Sequence, residues 1–143
     1  MSVQNPTNEY MLLFRGSVFD KELSPQAIQD VMGRWMAWYE GLVSDGRVTS
    51  GRPLSKSGKV VSGRGRNVAD GPFAESKEAV GGYFLLNVSD FDEAVEIAKQ
   101  CPGLDHGLQV EVRQVAESCQ VAQRAALGAA ELRAGGQLAG ASA

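Results

Sequence analysis

Two stretches of this chain, Tyr10-Met-Leu-Leu-Phe14 and Val80-Gly-Gly-Tyr-Phe-Leu-Leu-Asn-Val88, are apolar without alternating. Short continuous apolar runs bounded by turn residues form strands buried on both sides. An antiparallel strand with one wet face alternates apolar and polar residues, and these two do not. Any sheet built on them needs cover on both faces. That requirement constrains the fold more than anything else in the 143 residues.

The supply of cover is limited. Ser24-Pro25 starts a helix, with serine as N-cap and proline in the first turn. Ile28, Val31, Met32, Trp35, Tyr39, Leu42 and Val43 then recur at steps of three and four, which predicts one apolar face on a helix of roughly five to six turns. Asp45-Gly46 ends it, with Gly46 suited to the left-handed cap. A second helix begins at Ser89-Asp90, where Glu93 completes a capping-box pattern. It carries Ala94, Ile97, Ala98 and Cys101 inward and stops at Pro102-Gly103.

Between these helices, Val48 to Leu54 reads as a strand closed by Pro53. Lys59-Val60-Val61 and Arg66 to Ala69 read as a short ribbon, followed by a turn at Asp70-Gly71-Pro72-Phe73. Leu108 to Val115 alternates and forms the last strand. Residues 1–8 read as a flexible arm, 9–116 as the domain, and 117–143 as an Ala/Gly-rich tail with a helical stretch around Val121 to Arg133.

The order is strand, helix, strand, ribbon, strand, helix, strand. It predicts an α+β, ferredoxin-like βαββαβ fold: an antiparallel sheet with two helices on one face. The other face is left to a second copy of the chain, packed sheet to sheet as a homodimer, or to the tail folding back. Glu111 and Arg113 would point together into that face.

A net charge of −3 and a pI near 5.2 give no reason to expect nucleic acid or an anionic membrane as partner. The start of the chain has no basic-then-apolar leader pattern and no apolar run approaches a membrane span, so a cytoplasmic location is expected. Cys101 and Cys119 make no metal-ligand spacing with each other or with His106, the sole histidine; both are expected as reduced thiols, with no metal and no cofactor.

The string Asp70-Gly-Pro-Phe-Ala-Glu-Ser-Lys-Glu78, followed by Gly81-Gly-Tyr-Phe84, Cys101-Pro102 and Glu111-Val-Arg113, resembles the DGPF family within the wider YCII-related group. The resemblance runs from about Tyr10 to Val115. It implies a ferredoxin-like domain that dimerises into an α/β barrel, in a mostly bacterial family of unknown function. Some members are encoded beside extracytoplasmic-function sigma factors, which makes such a factor a candidate partner. The wider group carries a histidine in the first helix and an aspartate before a proline after the second, read as an acid/base pair. The matching positions here are Arg34 and Cys101. A guanidinium is no general base at ordinary pH and suits anion binding instead.

The candidate catalytic residues are therefore His106, whose free pKa lies near neutrality, and Asp70 as its orienting partner. The candidate ligand-binding residues are Arg15, Arg34, Trp38, Glu111 and Arg113. Six basic residues without an acidic one (Arg47, Arg52, Lys56, Lys59, Arg64, Arg66) mark a basic ribbon. Gly63-Arg-Gly65 within it lacks the strand and helix of a dinucleotide loop. Two functions are consistent with these residues: a homodimeric small-molecule-binding or accessory protein, and a cofactor-free enzyme acting on a small anionic metabolite. An interaction module for a sigma factor is a third.

Overall fold

The computed structural model describes residues 8–16, 23–72 and 79–138, the last five as backbone only. The chain divides into a main unit, Asn8–Val115, and a second unit that contains the C-terminal helix.

In the main unit, β1 (Glu9–Arg15) leads to α1 (Pro25–Ser44), β2 (Val48–Pro53), β3 (Lys59–Ser62), β4 (Asn67–Asp70), β5 (Val80–Asn87), α2 (Phe91–Ala98) and β6 (Gln109–Gln114). Four strands form one sheet in the order β2-β5-β1-β6, antiparallel at every junction. With the β3-β4 hairpin set aside, this is the ferredoxin-like order. Strands β3 and β4 pair only with each other, and every residue in them is exposed.

The helix ends follow their sequence signals. The Ser24 side chain accepts a hydrogen bond from the Ala27 amide at 3.1 Å, and Gly46 takes a left-handed φ of 73°. At α2, Asp90 accepts from the Glu93 amide at 2.8 Å. The Glu93 carboxylate in turn accepts from the Ser89 amide at 3.0 Å, one residue before the usual capping-box position.

The core lies on the helix side of the sheet. Tyr10, Leu12 and Phe14 of β1, Phe84 and Leu86 of β5, Leu42 of α1, and Ala94, Ile97 and Ala98 of α2 are all buried there. The two apolar strands do alternate, but in burial rather than in polarity: Met11, Leu13, Tyr83 and Leu85 on the opposite face are half-buried. That face carries no helix of the main unit.

Three expectations change. Met32 and Val43 lie at the margins of the apolar face of α1, at 43% and 46% exposure, whereas Trp38 joins the inner stripe Val31-Trp35-Trp38-Leu42. A helix has 3.6 residues per turn, so positions at the margin of a wide stripe are only partly covered. Residues Pro102–His106 form a 3₁₀ helix with Gly107 as its left-handed cap at φ 90°, where only the end of α2 was expected. Finally, α3 (Gln120–Leu138) continues through Gly135-Gly136. Both glycines fall in its last turn, where a helix tolerates them better than in its interior. Val121, Leu127 and Leu132 on this helix are exposed. Among the described residues no helix is long and apolar enough to cross a membrane.

Candidate functional site

Two glycines on neighbouring strands open a hollow on the helix side of the sheet. Gly51 of β2 lies opposite Phe84, and Gly82 of β5 opposite Pro53 and Phe14. A Cβ on Gly51 would stand 2.8 Å from Phe84 Cδ1 and 3.1 Å from the Tyr83 carbonyl oxygen; one on Gly82 would stand 3.0 Å from the Arg52 carbonyl oxygen. The main chain therefore forms the floor, and α1 supplies the roof with Met32, Trp35, Met36 and Tyr39. The cavity between them holds about 350 Å³ and is also lined by Phe14, Phe84 and Leu108. This lies within the roughly 300–1,000 Å³ range of small-molecule pockets.

Aromatic rings set its walls. Phe84 sits 4.9 Å from Phe14, 5.0 Å from Tyr39 and 5.1 Å from Trp38, centroid to centroid. Trp35 meets Phe14 edge-on at 4.9 Å and Trp38 at 5.5 Å. These distances fall in the range where edge and tilted contacts are favourable. The Trp38 Nε1–H is buried and has no hydrogen-bond partner among the described residues.

The sequence-derived candidates fall into separate places. Arg15, Glu111 and Arg113 come together on the open face of the sheet: Arg15 Nε is 3.3 Å from Glu111 Oε1, and Arg113 Nη1 is 3.7 Å from Glu111 Oε2. The first contact is not aligned as a hydrogen bond and the second is too long for one, and the buried Arg15 Nε–H has no acceptor among the described residues. Arg34 lies on the outer side of α1, half exposed, and pairs with Asp30 at 3.2 Å. The α1 residue that reaches the Pro102-Gly103 turn is instead Trp35, whose Cζ3 would lie 3.2 Å from a Cβ on Gly103. Trp38, a candidate ligand-binding residue, packs inside the aromatic cluster.

Asp70, expected to open a turn and to orient His106, ends β4 and forms an ion pair with Lys59 across the hairpin. The rest of its signature string, from Phe73 to Glu78, lies outside the described residues. His106 closes the 3₁₀ helix, half-buried. Neither the cavity under α1 nor the hollow at the hairpin base is lined by both His106 and Asp70. A larger hollow of about 480 Å³ sits at the hairpin base, lined by Lys56 to Lys59 and Asp70 to Pro72, all exposed except Gly71. Among the described residues no group of three or more His, Cys, Asp or Glu side chains could hold a metal ion.

Cys101 is the buried thiol and Cys119 the exposed one. Burial pushes the Cys101 thiol up from 9.0 to about 11, against hydrogen bonds from the Gly103 and Leu104 amides that pull it down. A thiol held neutral is a poor nucleophile. Iodoacetamide at neutral pH should therefore modify Cys119 and spare Cys101, as peptide mass analysis would read. The unfolded thiol ionises near 9.0 while the folded one waits until about 11, so above pH 9 the unfolded state binds fewer protons. Stability should fall across that window, and Cys101→Ala should flatten the fall in urea titrations at pH 8, 9 and 10.

Against this geometry stand the comparisons. The model of the YCII-related domain matches residues 10–118, most of the chain. The chain belongs to the YCII-related family. Among curated proteins none matches this YCII-related chain. A solved structure similar to it is 5-chloro-2-hydroxyhydroquinone dehydrochlorinase from Burkholderia phenoliruptrix AC1100, in complex with 2,5-dihydroxybenzoquinone. It is 15% identical, with a TM-score of 0.44, covering 77% of this chain and 95% of the other.

The cavity itself was missed from sequence. Its signal was present as Gly51 and Gly81-Gly82, but these become a floor only once the β2–β5 register is known.

Proposed function

We propose that this YCII-related protein is a homodimer that binds a small, flat, largely apolar molecule between α1 and the glycine floor of its sheet. The observation that carries this reading is the 350 Å³ cavity, walled by Phe14, Trp35, Tyr39 and Phe84 and floored by main chain. Planar ligands stack favourably on such rings, and main chain at the floor lets a ring approach closer than any side chain would allow. Arg52 is the one charged residue in the lining, and no carboxylate or histidine joins it there, which favours binding over acid/base chemistry. The half-buried apolar face opposite the helices supports a second copy as its cover.

Trp35 lines the cavity and Trp38 touches Trp35, and these are the only tryptophans. Their emission is therefore a direct reporter. Titration with 4-nitrophenol, a flat quencher, should give saturable quenching, and Met36→Phe, which narrows the roof from a half-exposed position, should weaken it about tenfold or more. Quenching that rises linearly and is indifferent to Met36→Phe would sink the reading.

A further inference from the structure

The β3–β4 hairpin serves neither the cavity nor the core. It pairs with no other strand among the described residues, and every residue in its two strands is exposed. A two-stranded hairpin on its own is marginal in water. This one nevertheless shows Val60, Val61 and Val68 to solvent, at 43%, 62% and 63% exposure. One contact at its base sets the phase of the ladder: the Gly71 amide donates to the Gly58 carbonyl at 3.0 Å. Bonded pairs alternate along an antiparallel ladder, so Val60–Ala69 and Ser62–Asn67 exchange the next bonds. Lys59 and Val61 on β3, like Val68 and Asp70 on β4, therefore direct their N–H and C=O groups outward. Those groups have no main-chain partner among the described residues.

Charge is placed as unevenly as the open edges. Residues 56–70 hold Lys56, Lys59, Arg64 and Arg66 against the single carboxylate of Asp70, in a chain whose net charge is −3. Lys59 is already paired with Asp70, so the tip supplies the unengaged charge. There Arg66 adopts a left-handed φ of 56°, a backbone that suits glycine and strains a longer side chain, yet the position presents a guanidinium. Arg64, two residues before it, is exposed and has no ion pair among the described residues. The two edges are not equivalent. Asp70 stands on the β4 edge and repels an acidic chain, whereas β3 (Lys-Val-Val-Ser) carries only a cation. Unpaired groups on a strand edge are met by another strand; neither a phosphate backbone nor a lipid surface offers that ladder. The exposed valines likewise call for apolar side chains.

We propose that the β3 edge is a docking site for another protein, which adds an extended segment as a third strand beside Lys59–Ser62. Its apolar residues lie next to Val60 and Val61, and its acidic residues next to Arg64 and Arg66. This site is independent of the cavity and of the homodimer. Main-chain bonds along the edge supply the affinity, and the two arginines select acidic ends over neutral or basic ones.

The test is fluorescence anisotropy of a labelled peptide, Glu-Glu-Thr-Val-Thr-Val-Glu-Glu, titrated with the full chain, with circular dichroism as a check on folding. Binding should be saturable. Val61→Pro removes an outward N–H that the hairpin itself does not use, and should weaken binding about tenfold or more. Methylating the peptide's own amide nitrogens at alternate residues should do the same along one of its edges, with the protein unaltered. Arg66→Gly relieves the left-handed backbone, so the fold should be at least as stable, yet binding should weaken about threefold or more. The absence of saturable binding, or binding indifferent to both Val61→Pro and peptide methylation, overturns the proposal. Tighter binding of a labelled oligothymidylate, equal in wild type and Val61→Pro, makes the hairpin a nucleic-acid surface. Self-association of the chain that Val61→Pro abolishes makes a second copy the occupant, and in either case the proposal falls.

Discussion

Replacing Phe84 with alanine should cost about 3–5 kcal/mol, the range for large aromatic residues deleted from a core. Against a total stability of about 5–15 kcal/mol, that moves the domain close to or past its unfolding threshold. Phe84 is the hub of the aromatic cluster, with Phe14, Tyr39 and Trp38 all within 5.1 Å and Trp35 at 6.3 Å. Its removal leaves four rings without their common neighbour, and they cannot collapse together because they come from two different elements. Urea titration followed by tryptophan emission checks the result. Phe84→Leu retains part of the volume and should cost clearly less. Equal losses for the two variants would mean that the cluster owes little to the ring itself.

The second large effect separates two adjacent leucines. Leu12 is fully buried between β5 and β6, whereas Leu13, one residue on, is only partly covered. Leu12→Ala should cost about 3–5 kcal/mol in urea unfolding, since deleting a buried leucine adds a cavity to the lost transfer energy. Leu13→Ala should cost under about 1 kcal/mol at protein concentrations low enough for single chains, and should show its main effect as weaker self-association at high concentration. Similar costs at both positions under dilute conditions would mean that the open face is already covered within one chain.

This pair of residues also shows what could be read in advance. The apolar run Tyr10–Phe14 announced a strand with two faces to cover, and the structure agrees that one face is sealed by helices and the other is not. Which leucine faces which way was hidden, because both are apolar and the pleat phase is set by pairing with β5 and β6. Helix starts at Ser24 and Asp90 were legible because capping is local chemistry. The 3₁₀ helix at Pro102–His106 was not, because its hydrogen bonds depend on Gly107 accepting a left-handed φ before β6 begins. Among the candidate residues, Glu111 and Arg113 could be placed on one face from alternation alone. Arg15 joins them only through the β1–β6 register, and Asp70 turned to Lys59 through the hairpin register. Residues that meet across strands are invisible to a reading that runs along one.

The glycine floor has a further consequence for how this pocket can change over generations. A side chain at Gly51 or Gly82 collides with backbone or with the ring of Phe84, so the floor offers almost no graded variation: it stays bare or the sheet shifts. The roof is the opposite material. Met32 and Met36 are unbranched, polarisable and nearly half exposed, and they can swap for other side chains at little cost to the core. Ligand preference in this scaffold should therefore drift through α1 at positions 32 and 36, with the sheet acting as a fixed anvil against which different molecules are pressed.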